Sequence, residues 1–170
     1  MKYKVLRKEP KSTECFVCGT ENKAGLECTF YLLEDGREVC LFSAKTCHEG
    51  HPGIMHGGVI CAVLDETGGR AYATRTPGSS AYTLELKTNY YHTIPTNTPL
   101  ICVGSVDEIK EKVYFATAKV ILPDGTVAAQ SKGVYYILKN QNAVDGGTAY
   151  HTVYPEELDL FEIDIPEKDN

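Results

Sequence analysis

The sequence lacks the features that mark a membrane-spanning or exported protein. None of its apolar runs approaches the roughly 20 residues that a membrane-spanning helix needs. The opening stretch, MKYKVLRKEP, has no apolar core of a signal peptide. We therefore expect a cytoplasmic protein whose seven cysteines stay reduced, and the odd number of cysteines agrees with that expectation.

The sequence also lacks an excess of positive charge. Its 23 acidic residues outnumber its 17 lysines and arginines, which gives a formal net charge of −6 at pH 7. Nucleic acids and anionic membranes attract basic surfaces, so this balance argues against either of them as the main partner. A length of 170 residues with 42% hydrophobic residues fits one globular domain.

A second Cys-x-x-Cys pair is missing as well. The pair that is present, Cys15 and Cys18, lies in ECFVCGTENKAGL, whereas a structural zinc site needs four ligands and usually two such pairs. Other residues could complete a metal site only if folding brought them close, namely Cys28, Cys40, Cys47, His48 and His51. No strand–CxxC–helix pattern indicates a redox pair. We interpret the segment as a reduced structural loop, and we predict no metal and no cofactor.

One stretch, His56 to Gly69, dominates what is present; its sequence is HGGVICAVLDETGG. Six consecutive apolar residues, Val59 to Leu64, predict a helix that is buried on all sides. We expect this helix to run from about Gly57 to Thr74. It contains four glycines, each of which costs a helix roughly 1 kcal/mol relative to alanine. Their presence predicts the close approach of another backbone or of a ligand.

Groups that could take part in catalysis lie at the two ends of the apolar run. The first backbone N–H groups of a helix are unpaired and partly positive. Because Gly57 and Gly58 have no side chain, those donors are open to an anion or a developing oxyanion. The run ends at two acids, Asp65 and Glu66. Burial would raise the pKa of Asp65 and sharpen it as a base.

Segments typical of β-strands surround the helix. Asp35-Gly36 and Pro123-Asp124-Gly125 predict two hairpins. The expected strands cover residues 26–33, 38–44, 81–92, 100–106, 112–122 and 126–138. Long antiparallel strands around one buried helix indicate an α+β domain. We expect residues 1–14 to be a flexible lead-in, 15–138 to be the domain, and 139–170 to be a linker and an acidic tail. The tail is either disordered or a solvated cover.

These residues resemble a known family. An HGG motif that opens a buried helix, with an acid nine positions after the histidine, is similar to the hotdog-fold thioesterases; His56 and Asp65 have that spacing. The segments TLELKTNY (83–90) and CFVCGTENKAGL also resemble parts of such proteins. The resemblance covers residues 15–138 and is to the HGG-motif acyl-CoA thioesterases, like those of the phenylacetate-pathway and 4-hydroxybenzoyl-CoA type. It implies an antiparallel sheet wrapped around one long central helix.

The resemblance also implies an activity, the hydrolysis of an acyl-CoA thioester in a homodimer or a dimer of dimers. Carried over residue by residue, the Gly57 N–H polarises the thioester carbonyl, and Asp65 attacks that carbonyl or activates water. Thr83 orients the water or the carboxylate. His56 stabilises the junction beside the carbonyl.

Further residues are expected to bind the substrate: Gly58, His51, Glu66 and Tyr90. The sequence departs from several relatives at Gly50, where they carry Asn or Gln six residues before the histidine; His51 is a possible substitute. The phosphates of CoA need local cations on this acidic protein. The available candidates are Arg70, Arg75, Lys87 and Lys132.

Plainer interpretations stay open for each of these residues. Asp65 could only mark where the helix meets solvent, His56 could be purely structural, and Thr83 could be an ordinary strand residue. Two other functions on the same fold are also open. A non-catalytic acyl-thioester binding protein is disfavoured by the acid at position 65. An acyl-thioester hydratase or dehydratase fits the HGG opening less well.

Overall fold

The computed structural model describes residues 1–73, 76, 79–138, 152–153, 155 and 157–166. In this part of the chain one α-helix, α1, spans Gly57–Ala73. The strands are β1 (Lys2–Lys8), β2 (Lys11–Ser12), β3 (Thr29–Leu33), β4 (Glu38–Phe42), β5 (Glu49–His51), β6 (Ile54–Met55), β7 (Ser80–Tyr90), β8 (Leu100–Ile109), β9 (Val113–Ile121), β10 (Val127–Leu138), β11 (Thr152–Val153) and β12 (Glu162–Asp164). The predicted helix end at Thr74 lies outside the described residues, and so do residues 139–151 of the predicted linker and tail.

Eight of the strands form one antiparallel sheet in the order β12-β1-β3-β4-β8-β9-β10-β7. The turns of its β3–β4 and β9–β10 hairpins contain Gly36 and Gly125, with φ angles of 81° and 84°. This left-handed conformation strains most residues but not glycine. Both predicted Asp-Gly hairpins are therefore confirmed.

The helix α1 lies across one face of this sheet and packs against β4, β7, β8, β9 and β10. Ile60, Val63 and Leu64 are buried there, together with residues of the 15–28 loop that covers the helix from another side. Val59, Cys61 and Ala62 are only half-buried, so the apolar run is not enclosed on all sides within one chain. Among the described residues, no helix combines the length and the hydropathy of a membrane-spanning segment.

A second apolar core lies on the opposite face of the sheet. Residues of β1, β3 and β4 meet the C-terminal segment there, and Ile163 and Ile165 are 4% and 0% exposed. Strand β12 pairs with β1 in an antiparallel register that sets Ile163 beside Tyr3. The described part of the acidic tail is therefore a packed cover for the outer face of the sheet.

The N-terminal residues differ from the expected flexible lead-in. Residues Lys2–Lys8 form β1, which is held between β12 and β3, and Val5 is buried. The N-terminal ammonium also contacts the Asp164 carboxylate at 2.9 Å. The two ends of the described chain thus stabilise each other, which is a contact between residues too far apart in sequence for local patterns to predict.

The close approach that the helix glycines predicted is made by a side chain. A Cβ atom at Gly68 would lie 2.4 Å from the hydroxyl oxygen of Tyr135, a buried residue of β10. Tyr114 of β9 stacks on Tyr135 and donates a hydrogen bond to the Gly69 carbonyl oxygen at 2.6 Å. Because Gly68 and Gly69 have no side chains, two tyrosines of the sheet pack directly against the backbone of α1.

Candidate functional site

His56 caps the first turn of α1. Its ring Nδ1 accepts a hydrogen bond from the Gly58 N–H at 2.9 Å, and its own N–H donates to the His48 carbonyl oxygen. Such a cap satisfies one of the unpaired donors of a helix start. Gly50 packs against the same histidine, because a Cβ atom at position 50 would lie 3.1 Å from the His56 Cα. The geometry supports a structural contribution of His56 to the junction.

The sequence predicted open N–H donors at both Gly57 and Gly58, and the His56 cap uses one of them. The Gly58 N–H is occupied by His56, whereas the Gly57 N–H has no hydrogen-bond partner among the residues that the structure describes. The Gly57 carbonyl oxygen accepts a hydrogen bond from the hydroxyl of Tyr90 at 2.9 Å. Tyr90 thereby fixes the first turn of the helix. The Gly57 N–H is left as the donor that can meet an oxyanion.

Asp65 and Thr83 form the polar pair at the other end of the apolar run. The Thr83 hydroxyl of β7 donates to Asp65 Oδ1 at 2.7 Å. The Asp65 side chain is half-buried, while Thr83 is exposed. On the sheet side, the hydroxyl of Tyr135 donates to the backbone carbonyl oxygen of Asp65 at 3.3 Å. The carboxylate is therefore held in place and still borders on solvent.

The surroundings of Asp65 set its acidity. Burial raises the pKa of its carboxyl, the Thr83 hydrogen bond opposes that effect, and the negative charge of Glu66 adds to the rise. The net result is a pKa above the usual value of an aspartate. A base works best when its pKa approaches the working pH, so this shift strengthens Asp65 as a proton acceptor.

A β-bulge aims Thr83 at Asp65. Strand β7 pairs Glu85 with Val134 and Thr83 with Tyr135, which leaves Leu84 without a partner residue on β10. Side chains alternate between faces along a strand, and one extra residue reverses the alternation. On one side of the bulge the even-numbered Thr88 faces the helix, where it contacts Cys61. On the other side the odd-numbered Thr83 faces the helix, where it contacts Asp65. Without the bulge Leu84 would stand where the Thr83 hydroxyl stands.

Glu66 belongs to a different cluster from its neighbour Asp65. Its Oε1 accepts a hydrogen bond from Arg70 Nε at 2.8 Å. The Arg70 guanidinium also donates to the Pro10 carbonyl oxygen and to Cys18 Sγ. These partners turn Glu66 toward the N-terminal loop, so the predicted substrate contact finds no support. They also leave Arg70 committed inside the protein and unsuited to bind CoA phosphates.

The remaining predicted binding residues are not gathered at Asp65. His51 is exposed on β5, which pairs with β6. Lys87 and Lys132 are exposed and lie opposite each other on β7 and β10. Because Thr88 faces the helix, Lys87 faces the outer side of the sheet, away from the carboxylate. Arg75 lies outside the described residues.

One contributor to the site escaped the sequence reasoning. Tyr135 contacts the Asp65 backbone through its hydroxyl and lies directly against Gly68, and the residue is 1% exposed. The alternation of β10 marks it as a core residue. Nothing in the sequence relates it to a helix 70 positions earlier.

Comparison with known proteins agrees with this architecture. The family model described as the thioesterase superfamily matches residues 52–129, which include α1, the strands β7, β8 and β9, and the start of β10. A crystal structure of a thioesterase superfamily protein superposes with a TM-score of 0.68 at 25% identity, covering 72% of this chain and 60% of that one. The sheet around one central helix is thus the predicted α+β hotdog fold.

Two curated relatives refine the comparison. A Saccharolobus solfataricus protein named as a candidate esterase is 30% identical over 64% of this chain and 77% of its own length. Human acyl-coenzyme A thioesterase THEM5 is 30% identical over 65% of this chain, but the chain spans only 44% of that protein. The chain belongs to the thioesterase superfamily.

Proposed function

We propose that the protein hydrolyses an acyl-CoA thioester to a free acid and CoA. The observation that carries this proposal is the environment of the Asp65 carboxylate. The carboxylate is half-buried, its pKa is raised, and the Thr83 hydroxyl donates to it at 2.7 Å. The relatives named as acyl-coenzyme A thioesterases support the choice of substrate class. The open Gly57 N–H at the helix start supplies the second group that such a reaction needs.

The two groups divide the chemistry between them. As a general base, Asp65 accepts a proton from water while the water oxygen bonds to the thioester carbon. The carbonyl electrons move onto oxygen, where the Gly57 N–H stabilises the negative charge. Collapse of this intermediate breaks the carbon–sulfur bond, and the CoA thiolate takes up the proton. As a nucleophile, the Asp65 carboxylate would instead attack the thioester carbon and expel the CoA thiolate, and water would then hydrolyse the resulting mixed anhydride to the free acid and restore the carboxylate.

One subunit cannot bring both groups to one carbonyl. Gly57 and Asp65 are eight residues apart on α1, which is about 12 Å along an α-helix. The attacking atom and the oxyanion donor must each lie about 3–3.5 Å from the same carbonyl group. We therefore propose a homodimer or larger assembly, in which Gly57 of one subunit and Asp65 of the other form each site.

The edges of the sheet support such an assembly. Strand β7 is an eleven-residue edge strand whose only partner among the described strands is β10. The other edge, β12, has three residues. Long unprotected edges tend to pair with another strand, whereas short ones are protected by their length. Exposed apolar side chains mark this same region, namely Tyr82, Leu84, Tyr90 and Tyr91.

Mixing two inactive variants tests the shared site. Asp65→Ala lacks the carboxylate, and Gly57→Pro lacks the backbone donor, while proline is tolerated at a first helical position. Random exchange makes about half of the dimers mixed, each with one intact site, so about a quarter of wild-type activity should return. Subunit exchange is verified with a tagged copy, and circular dichroism verifies that Gly57→Pro folds. Zero activity in folded, exchanged dimers would show that the site is not shared.

A panel of acyl-CoAs tests the reaction itself. Thiol release, read with a thiol reagent, is the expected result. A change in double-bond absorbance without thiol release would identify a hydratase instead. Tight binding with neither signal would identify a binding protein. The proposed substrate also agrees with the predicted cytoplasmic location, which stays a prediction.

A further inference from the structure

The loop that carries the Cys-x-x-Cys pair meets α1 beside Glu66. The Sγ atoms of Cys15 and Cys18 and a carboxylate oxygen of Glu66 all lie within 4.8 Å of one another. Cys18 is buried, while Cys15 and Glu66 are half-buried, so the cluster has an open side. None of these three groups is assigned a step in the reaction proposed for Asp65, although the charge of Glu66 contributes to the raised pKa of that acid.

The backbone of the loop is folded to support sulfur ligands. The N–H groups of Val17 and Cys18 donate to Cys15 Sγ at 3.3 and 3.4 Å, and the Ser12 N–H lies 3.5 Å from Cys18 Sγ. The turn closes with a hydrogen bond from the Gly19 N–H to the Cys15 carbonyl oxygen at 2.8 Å. Donors aimed at sulfur stabilise the thiolate form, which is the form that binds metals.

Arg70 orients two of the three groups. Its Nε donates to Glu66 Oε1 at 2.8 Å and its Nη2 donates to Cys18 Sγ at 3.3 Å. The guanidinium is itself held by the Pro10 carbonyl oxygen and by stacking over Phe30. Metal ligands in proteins are commonly positioned by such outer hydrogen bonds. The second carboxylate oxygen of Glu66 is not taken by this arginine.

We propose that Cys15, Cys18 and Glu66 bind a divalent metal ion of the zinc class, with the fourth position open to water. Zinc accepts thiolate and carboxylate ligands at roughly 2.0–2.3 Å, which places ligand atoms of a tetrahedral site roughly 3.5–3.8 Å apart. The three groups need only small movements to reach that spacing. Two thiolates and a carboxylate carry three negative charges, which Arg70 and a divalent ion together neutralise.

The third proposed ligand, Glu66, is not among the residues that the sequence analysis named as able to complete a metal site with Cys15 and Cys18. Cys28 and Cys40 are fully buried in the apolar core. His48 uses Nδ1 to accept from the Lys45 N–H and Nε2 to donate to the Ala24 carbonyl oxygen. Folding instead brings in an acid from the helix, so a bound ion would fasten the N-terminal loop to α1 at the residue after Asp65.

Metal content of the intact protein tests the proposal. Protein produced with Zn²⁺ in the medium is desalted and analysed by mass spectrometry of its metals. A sample refilled with Co²⁺ is read by absorbance, because thiolate–cobalt bonds give charge-transfer bands that oxygen and nitrogen ligands do not. We expect stoichiometric Zn²⁺, the thiolate bands, and a lower melting temperature after chelation.

Single variants connect the result to the site. Cys15→Ser and Cys18→Ser should lose the metal and the bands, while Cys47→Ser, at an exposed cysteine outside the cluster, should keep both. Loss of an outer partner alone weakens metal binding about 10–100-fold, so Glu66→Gln should weaken it at least as much. Circular dichroism verifies that each variant is folded.

Three results would overturn the proposal. The first is wild-type protein that takes up neither Zn²⁺ nor Co²⁺. The second is a folded variant without Cys15 and Cys18 that keeps its metal. The third is a protein whose Cys15 and Cys18 form a disulfide under oxidising conditions and bind no metal when they are reduced. That result would make the pair a redox group.

Discussion

Replacing Thr83 by valine removes one hydroxyl and little else. Valine has the same branched shape, and position 83 is exposed on an edge strand, so the fold should persist. Asp65 Oδ1 loses the donor that now lies 2.7 Å away. Because this hydrogen bond favours the ionised carboxyl, its loss leaves the effect of burial less opposed. The pKa of Asp65 should therefore rise further.

The size of the effect follows from the kind of bond and its exposure. Hydrogen bonds to charged groups contribute about 1.5–3 kcal/mol. Water can partly replace an exposed hydroxyl, which favours the lower end of that range. A loss of about 1.4 kcal/mol in transition-state stabilisation corresponds to about a tenfold fall in rate. The same bond holds the carboxylate in place for the reaction, and we expect the loss of this positioning to outweigh the stronger basicity that a higher pKa gives. Thr83→Val should therefore lower kcat/KM about tenfold.

The pH profile provides a second readout with a defined sign. Asp65 acts only when ionised, so activity is lost as pH falls through its pKa. A higher pKa in Thr83→Val should move this acid limb of kcat/KM to higher pH, measured by thiol release on the best acyl-CoA. Thr83→Ser keeps the hydroxyl and should resemble the wild type. An unchanged rate and acid limb in Thr83→Val, or equal losses in both variants, would refute the role of this bond.

Two stability predictions follow from α1. Gly68→Ala should lower the free energy of unfolding by about 1–3 kcal/mol, because its Cβ would lie 2.4 Å from the hydroxyl oxygen of the packed Tyr135. Gly69→Ala, whose Cβ would stand 3.6 Å from the same ring, should instead gain up to about 1 kcal/mol from helix propensity. Equal denaturation midpoints for the two would contradict this packing. His56→Ala should lose about 0.5–2 kcal/mol in the same assay, because the Gly58 N–H loses its cap; an unchanged midpoint would show that the cap contributes nothing.

Local patterns predict much of this fold. The apolar run and its glycines located α1, the Asp-Gly turns located two hairpins, and the alternating segments became β7, β9 and β10 within a few residues. Strand β1 was missed because its charged residues outnumber its apolar ones. Its burial depends on β12, whose Ile163 meets Tyr3 from the far end of the chain.

Local sequence patterns likewise predict one part of the site and not the other. Spacing from the histidine indicated Asp65, and glycine at the helix start indicated the open donor at Gly57. No local pattern shows that a bulge at Leu84 aims Thr83 at the carboxylate, because the unpaired residue is defined only against β10. The pairing of Glu66 with Arg70 beside the N-terminal loop likewise arises from tertiary packing.

The most direct test of the central claim compares two neighbouring acids. Asp65→Asn keeps the shape of the side chain and an oxygen that can accept from Thr83, but removes the base or nucleophile. Loss of such a group commonly costs 10²-fold or more in rate. In single-turnover hydrolysis of the best acyl-CoA, we predict that folded Asp65→Asn binds substrate and loses at least about 10²-fold in rate. Glu66→Gln should keep most of its turnover. Near wild-type turnover in Asp65→Asn together with an inactive, folded Glu66→Gln would contradict the account.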